Sequence, residues 1–296
     1  KKNKIISVKN SYHGKTHGAL SVTNSENYQD NFLIGIPSDY ILIAEFGDID
    51  SISKLISQNT LKNGNNDIAA LIIEPIQGQV VDIPYEGYLE ELQKVCKAHN
   101  ILTIFDEIKV GMGRTGKLFS FMHENVIPDI LTISKSLGGG KRAIGVTITS
   151  DKIFKKAYGK KSEASLHTTT FGGIGETCSV AIESLRILSD DKFLNKVDNI
   201  GKYFFEQLKE LEKKHQEKIK SIKGKGLILG IEFNFPLDFK PLGDKFIKTR
   251  NQYYISSIVR ELYEAHDILC TFALSSPNTL ELTPPLIINK EDIDYF

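Results

Sequence analysis

Short apolar runs that alternate with helical patterns are the feature that most constrains the fold of this chain. The runs are apolar on both faces, which is typical of strands buried in a mostly parallel sheet. Strands that alternate with helices imply right-handed β-α-β crossovers and an α/β fold. The predicted strands are Lys4–Val8, Ile41–Ala44, Ala69–Ile73, Ile101–Phe105, Ile130–Ile133 and Ala143–Thr149. The predicted helices are Asp50–Gln58, Glu86–Ala98, Gly175–Leu188 and Lys192–His215.

The pattern changes after about Asp190, where charged helical sequence and a basic run at Lys218–Lys225 replace the short buried runs. The elements predicted beyond that run are a strand at Leu227–Phe235, a helix near Gln252–Ala265, and short strands at Ile268–Phe272 and Thr279–Leu282. We therefore predict a large domain over residues 1–190 and a smaller α+β domain over residues 191–296.

Charge and cysteine content argue against several classes of function. The chain of 296 residues has 37 basic and 37 acidic residues, which gives no reason to expect binding to nucleic acid or to an anionic membrane. No apolar run approaches the ~20 residues that a membrane span needs. The three cysteines, Cys96, Cys178 and Cys270, form no C-x-x-C pair. This spacing favours the reducing cytoplasm over a disulfide framework or a zinc knuckle.

Two neighbouring predicted strands end in residues suited to chemistry. One is followed directly by Asp106 and Glu107, at the strand end where open α/β sheets bind ligands. The next is followed by Lys135 and by three glycines at 138–140, which allow a ligand to approach the backbone closely. Burial would lower the pKa of this lysine, as Schiff-base chemistry requires. The alternative is that the acids cap the next helix and the lysine is solvated.

Nucleotide and metal sites are the competing interpretations. Gly14-Lys15-Thr16 resembles the end of a phosphate-binding loop, but Lys9 stands where that motif needs its first glycine, and no clear helix follows. The glycines at 138–140 do not complete a dinucleotide-binding fingerprint. His13 and His17 are four residues apart, yet flanking glycines indicate a loop and no acidic third ligand is near in sequence. We therefore expect neither a nucleotide-binding loop nor a metal site.

Several specific motifs occur along the chain in a fixed order. They are Ser11–Thr16, Ile73–Gly78, Asp106–Gly116, Pro128–Lys135, Thr170–Gly173, Lys223–Leu227 and Thr283–Leu286. With these motifs the chain resembles the class III aminotransferases, of the ornithine and 4-aminobutyrate type, over nearly its whole length. The resemblance implies a pyridoxal phosphate (PLP)-dependent transferase of fold type I, with a mostly parallel central sheet flanked by helices and a smaller α+β domain.

The resemblance also implies roles for residues in these motifs. Lys135 would hold PLP as a Schiff base and would move the proton during the reaction. Asp106 would keep the pyridine nitrogen protonated, because a nearby carboxylate favours the charged pyridinium, and a charged ring is the better electron sink. The ring of Tyr12 would stack on the cofactor, and His13 and Gly14 would lie beside it.

A homodimer with shared active sites is a further implication, since Thr170 would reach the cofactor phosphate of the partner subunit. The substrates would be a small-molecule amine and a carbonyl acceptor, namely a ketone, an aldehyde or a carrier-tethered carbonyl. One alternative is an aminomutase or epimerase that would use the same Lys135 and Asp106. A second alternative is a non-catalytic remnant of such an enzyme.

Three positions depart from the family pattern. Lys109 stands where the family usually has a Gln that bonds the cofactor phenolic oxygen, and it could still donate to that oxygen. Gln79 and Glu281 stand where many members have a Glu–Arg pair whose Arg binds a substrate carboxylate. Because a glutamate repels carboxylates, we predict unusual recognition of glutamate and 2-oxoglutarate, and a cationic amine, an aldehyde or a carrier-tethered carbonyl at Glu281. The alternative is that Glu281 faces solvent or pairs with Lys109.

Two further departures concern the loop before a predicted helix and the ends of the sequence. Ile174-Gly175 replaces the Asn-Pro that commonly follows the Thr170–Gly173 motif, which we take to mark a subgroup. The helix start whose amides hold the cofactor phosphate in the family would lie before Lys1. We therefore expect both ends of the sequence to be cuts through a larger fold.

Overall fold

Two β-sheets with helices packed on them organise the chain. A computed structural model describes residues 2–25, 28, 36–235, 244–273 and 275–296. The strands are β1 (Lys4–Val8), β2 (Ile41–Ala44), β3 (Ile68–Ile73), β4 (Leu102–Asp106), β5 (Ile130–Ile133), β6 (Val146–Thr149), β7 (Ile219–Lys225), β8 (Ile228–Phe233), β9 (Thr271–Phe272) and β10 (Thr279–Leu282). The helices of the described residues are α1 (His17–Val22), α2 (Ile49–Gln58), α3 (Tyr88–Ala98), α4 (Asp151–Tyr158), α5 (Gly175–Leu188), α6 (Asp191–Lys214), α7 (Asp244–His266) and α8 (Lys290–Tyr295).

The first sheet has six strands in the order β2-β1-β3-β4-β5-β6. Strands β1 to β5 run parallel to their neighbours, and β6 is antiparallel to β5. Ile68, Leu71 and Ile73 of β3 are fully buried, as expected for a strand covered on both faces. The prediction of a mostly parallel α/β sheet is confirmed. Strand β6 begins at Val146 instead of Ala143, because its pairing with β5 starts at the Ile133–Val146 partners.

Helices α2 and α3 flank this sheet, and each buries one apolar face. The side chain of Asp48 caps α2 by accepting a hydrogen bond from the Ser51 amide at 3.0 Å, and α2 then buries Ile52 and Ile56 one turn apart. Helix α3 buries Tyr88, Leu89, Leu92 and Cys96 along one face. None of the described helices is both long and apolar enough to cross a bilayer.

The second sheet is antiparallel, with four strands in the order β7-β8-β10-β9. Helix α6 packs on it through a buried stripe of Val197, Ile200, Phe204 and Leu208. Its first strand, β7, coincides with the basic run of the sequence. Lys220 and Lys223 of that run pair with Glu232 on β8 at 2.7 and 3.5 Å, while Ile219 and Ile222 are buried. Burial of Ile219 and Ile222, together with these cross-strand ion pairs, therefore accounts for a strand in the basic run, to which the sequence analysis assigned no element.

The loop after β4 joins the two sheets. Arg114 Nη1 donates to the carbonyl oxygens of Leu227 and Pro284, and the Leu227 amide donates to the Arg114 carbonyl oxygen at 2.9 Å. Burial lowers the pKa of Arg114 to about 10, although the charge of Glu281 opposes that shift. Beside this contact, Gly226 approaches the Thr115 backbone so closely that a Cβ on Gly226 would lie 2.6 Å from Thr115 Cα. The second sheet is thereby fixed against the loop that follows Asp106.

Three helices lie where the sequence analysis placed none. The expectation that no helix follows Gly14-Lys15-Thr16 is wrong, because α1 begins at His17. That helix contains Gly18, but packing of the buried Leu20 and Val22 outweighs its low helix propensity. Helix α4 has an apolar face formed by Ile153, Phe154 and Tyr158, a helical spacing that the sequence analysis did not use, although none of its residues is fully buried. Helix α8 forms in the acidic segment at the end of the sequence and has a capping box between Asn289 and Asp292.

Candidate active site

Loops that follow four neighbouring strands meet at one edge of the first sheet. Strands β1, β3, β4 and β5 are parallel, so their carboxyl ends lie together, the place where open α/β sheets bind ligands. The residues that these ends carry are Tyr12 and His13 after β1, Glu74 after β3, Asp106 at the end of β4 and Lys135 after β5. The two residues that the sequence analysis placed at the centre of the site are thus on adjacent strands.

Asp106 is a buried carboxylate held in one orientation. Its Oδ2 lies 2.8 Å from Nδ1 of His13, and its Oδ1 accepts a hydrogen bond from the Ile108 amide at 3.0 Å. Only 5% of its side chain is exposed. A buried carboxylate acts on a polar group beside it with little solvent screening.

Lys135 follows β5 in a strained backbone conformation. Its φ of 46° lies in the left-handed region, which non-glycine residues rarely adopt and which often marks functional sites. Burial lowers the pKa of the Lys135 amine, and the positive charge of Lys109 lowers it further, while Glu74, Asp106 and Glu281 oppose the shift. The lowered pKa increases the neutral fraction of the amine, which is the nucleophilic form.

Glu74 ties two loops of the site together. Its Oε1 accepts a hydrogen bond from the Tyr12 amide at 2.9 Å, and its Oε2 accepts one from the Gly78 amide at 3.0 Å. Burial raises the pKa of this carboxyl group, and the charge of His13 opposes the shift. In the sequence, Glu74 was noticed only as part of the Ile73–Gly78 motif. Its position directly after a buried strand, like that of Asp106, was the signal that could have identified it.

Lys109 and Glu281 form an ion pair between the two sheets. Lys109 Nζ lies 2.7 Å from Glu281 Oε1 and also donates to the Gly78 carbonyl oxygen at 2.5 Å. Together with Gln79 they line one cavity. Of the alternatives weighed for Glu281, the structure shows the pairing with Lys109. The reason given for a cationic substrate therefore weakens, because the charge of Glu281 is already compensated.

The structure also shows the surroundings of Gly14, Thr170 and Glu107. Gly14 has a φ of 127° in the loop after β1, a conformation that favours glycine. Thr170 is exposed in the segment before α5, and no described hydrogen bond joins it to the residues above. Glu107 is fully buried and accepts hydrogen bonds from both Ser120 and Phe121. Glu107 thus fixes the loop after β4 through its bonds to Ser120 and Phe121.

Two further observations bear on what the site could bind. Among the described residues, no group of three His, Cys, Asp or Glu side chains is arranged to hold a metal ion. His13 Nε2 is buried without a hydrogen-bond partner, and so is Oγ1 of Thr132, the register partner of Asp106 on β5. Buried polar atoms usually have a hydrogen-bond partner. A ligand with polar organic groups would supply the partners that these two atoms lack.

Comparison with known proteins agrees with this geometry. The sequence model of the family described as aminotransferase class III matches residues 1–296. An ornithine aminotransferase of Geobacillus sp. (strain WCH70) is 35% identical over 298 residues, covering 99% of this chain and 64% of that protein. The chain therefore spans less than two thirds of the length of that relative.

Solved structures show the same fold. The ornithine aminotransferase of Toxoplasma gondii ME49 has a TM-score of 0.81 at 28% identity, and the match covers 99% of this chain and 62% of that one. A Bacillus anthracis aminotransferase has a TM-score of 0.83 at 26% identity, with 99% of this chain and 67% of that one covered. Another structure of the Toxoplasma gondii enzyme has a TM-score of 0.82 at 28% identity, covers 99% of this chain and 62% of that one, and is described as showing partial occupancy of PLP at its active site.

Proposed function

This chain belongs to the class III aminotransferases, and from that premise we propose that it carries the catalytic site of a PLP-dependent aminotransferase. The reaction would move an amino group from an amine donor to a carbonyl acceptor. One observation carries the proposal: a buried, oriented carboxylate, Asp106, and a lysine with a lowered pKa, Lys135, stand at the ends of adjacent parallel strands.

The residues at this edge of the sheet fit PLP. A pyridine nitrogen is a polar group that the buried Asp106 carboxylate would hold, and a phenolic oxygen is a partner for an unpaired donor such as Thr132 Oγ1 or for Lys109. The ring of Tyr12 is an aromatic surface beside them, and its backbone is fixed by Glu74. When bound, PLP supplies an electron sink for the carbanion that forms next to the substrate nitrogen.

Each of the residues at this edge of the sheet would then have a specific role. Asp106 would bind the pyridine nitrogen and keep its proton, and His13 would hold the Asp106 carboxylate in place through the 2.8 Å contact. Lys135 would anchor the cofactor and, once released, would take a proton from the substrate carbon and return it to the neighbouring position. Tyr12 and Gly14 would position the ring from the loop after β1. Asp106 is buried, whereas the Lys135 residue is exposed to solvent.

The assembly and location are also proposals. The exposed position of Thr170 is consistent with a contact to the cofactor phosphate of a second subunit, so we expect a homodimer with shared sites. Cytoplasmic location fits three cysteines without disulfides. The division into a large domain to residue 190 and a smaller one from residue 191 is supported by the two separate sheets and their separate apolar clusters.

A single-turnover experiment tests this function. The full-length protein, loaded with PLP, would be incubated with an amine donor and no acceptor, starting with diamines, and the donor's carbonyl product would be quantified. An aminotransferase should release about one equivalent per site, whereas an aminomutase or epimerase should release none. The Lys135→Ala variant, compared at equal PLP occupancy, should release the product far more slowly. Equal rates in the two proteins would contradict the role of Lys135.

A further inference from the structure

Glu74 is a buried carboxylate that has no part in the proton transfers of the proposed reaction. It is the first residue after β3, and only 4% of it is exposed. Its two oxygens accept hydrogen bonds from backbone amides of different loops, Oε1 from Tyr12 at 2.9 Å and Oε2 from Gly78 at 3.0 Å. Burial of a carboxylate is costly unless hydrogen bonds compensate for the lost water. A buried apolar residue would carry no such cost, so the two hydrogen bonds are the property that distinguishes Glu74.

The first of these bonds fixes the backbone that carries the Tyr12 ring. Tyr12 follows β1 at the edge of the sheet where the candidate active site lies. The Tyr12 amide donates to Glu74, and the next amide, that of His13, donates to Thr23 Oγ1 at 2.9 Å. The Tyr12 ring itself contacts the ring of Tyr28, with centroids 5.0 Å apart. The position of the Tyr12 ring therefore depends on the carboxylate that holds its backbone and on the ring beside it.

The second bond fixes the loop that borders the cavity between the two sheets. The Gly78 carbonyl oxygen accepts a hydrogen bond from Lys109 Nζ at 2.5 Å. Gly78 has no room for a side chain, because a Cβ there would lie 2.3 Å from Lys109 Cδ and 3.3 Å from Glu74 Oε2. Gln79, the next residue, lines the cavity of about 410 Å³ together with Lys109. Glu74 therefore connects the wall of this cavity to the backbone of Tyr12.

From these contacts we propose that Glu74 is a positioning residue, which holds the Tyr12 ring against PLP and ties that ring to the wall of the cavity. The proposal rests on the proposed function and adds a residue to it. Glu74 would act through the Tyr12 and Gly78 amides and not by contact with the reacting atoms. A bound substrate that displaced Gly78 would then shift Tyr12 as well, because one carboxylate holds both amides.

Visible circular dichroism of the full-length protein, saturated with PLP, tests the proposal. PLP is achiral, so its absorption band becomes optically active only through fixed asymmetric contacts such as a stacked Tyr12 ring. In Glu74→Gln, one of the two backbone amides faces an NH2 group and loses its acceptor. We expect a weaker dichroism band, and a PLP dissociation constant that rises about two- to tenfold, the range for one hydrogen bond. Glu74→Asp, which keeps the charge on a shorter side chain, should show the same loss.

Two further variants separate positioning from a general loss of stability. Glu107→Gln alters another fully buried carboxylate that accepts from two backbone amides, those of Ser120 and Phe121, and it should leave the dichroism band unchanged. In a Tyr12→Ala background, Glu74→Gln should change neither the band nor the PLP dissociation constant further, because the ring through which Glu74 acts is absent.

Several results would overturn the proposal. An unchanged band in Glu74→Gln, with PLP still attached to Lys135, would refute it and leave the proposed function intact. Recovery of the band in Glu74→Asp would show that charge alone explains the effect. An equal loss in Glu107→Gln, or a further loss in the Tyr12→Ala background, would show that Glu74 does not act through Tyr12. If the wild-type protein gains no visible band with PLP, the proposed function itself fails, and the role of Glu74 fails with it.

Discussion

The contact that fixes the second sheet against the first can be tested at Gly226. Its φ of 59° is left-handed, and an added Cβ would lie 2.6 Å from Thr115 Cα and 2.7 Å from the Arg114 carbonyl oxygen. Gly226→Ala would cost about 1–2 kcal/mol for the backbone conformation. The overlap with backbone atoms, which cannot rotate away, would add about 1–3 kcal/mol. We therefore expect the free energy of unfolding to fall by about 2–5 kcal/mol.

Urea denaturation followed by circular dichroism measures this loss, and Gly64→Ala is the matched control. Gly64 also has a left-handed φ, 79°, but nothing lies within 4 Å of an added Cβ, so only the backbone cost of about 1–2 kcal/mol should appear. Because Glu281 lies on the sheet that Gly226 helps to hold, Gly226→Ala should also disturb the pair with Lys109. Equal destabilisation by the two substitutions would refute the reasoning that close backbone packing holds the sheets together.

Three further outcomes follow from buried ionisable groups. Burial raises the pKa of Glu107 to about 7, so the stability it contributes is present below about pH 4.5 and is lost as the pH rises through about 7. The loss amounts to as much as ~3 kcal/mol, and urea titrations of Glu107→Gln should show a flatter pH dependence. Burial lowers the pKa of His123 to about 4. The stability that neutral His123 contributes is therefore present above about pH 6.5 and is lost as the pH falls through 4. His123→Gln should make the protein less sensitive to acid, and an unchanged midpoint of acid unfolding would contradict this. Asp106→Asn should weaken PLP binding by about 1.5–3 kcal/mol in an absorbance titration, whereas wild-type affinity would show that the carboxylate does not hold the cofactor.

The strand ends that carry the site could be predicted because they depend on local sequence. Apolar runs bounded by turn residues gave β1, β2 and β5 with their observed ends, and the parallel arrangement then placed Asp106 and Lys135 side by side. A parallel sheet puts the carboxyl ends of its strands at one edge, and β4 and β5, which follow each other in the sequence, are also neighbours in the sheet.

The contacts that complete the site depend on tertiary structure and could not be derived in the same way. Lys109 and Glu281 are brought together only when the second sheet docks through Arg114 and Gly226, and no sequence periodicity reports that docking. From the sequence alone, Glu281 could bind substrate, face solvent or pair with Lys109. The two backbone hydrogen bonds that Glu74 accepts likewise depend on loops that follow different strands.

The secondary structure missed from the sequence has separate causes. Helix α4 is short and has a Ser150 cap, an Asp151–Lys155 ion pair at 2.7 Å and an apolar face that is only partly buried, so each of its signals is weak. Helix α1 owes its stability to packing, which its composition does not reveal. Strand β7 buries Ile219 and Ile222, and its lysines pair with Glu232 on the neighbouring strand. These three elements depend on tertiary contacts or on weak local signals, and the preferences of single residues report neither.

The most direct test of the central claim is to locate the lysine that binds PLP. The full-length protein would be incubated with PLP, reduced with borohydride, digested, and analysed by mass spectrometry for the phosphopyridoxyl-modified peptide. We expect about one modification per chain, on Lys135, and loss of the visible absorption band on reduction. Modification spread over the exposed lysines, or a single site at a lysine other than Lys135, would contradict it.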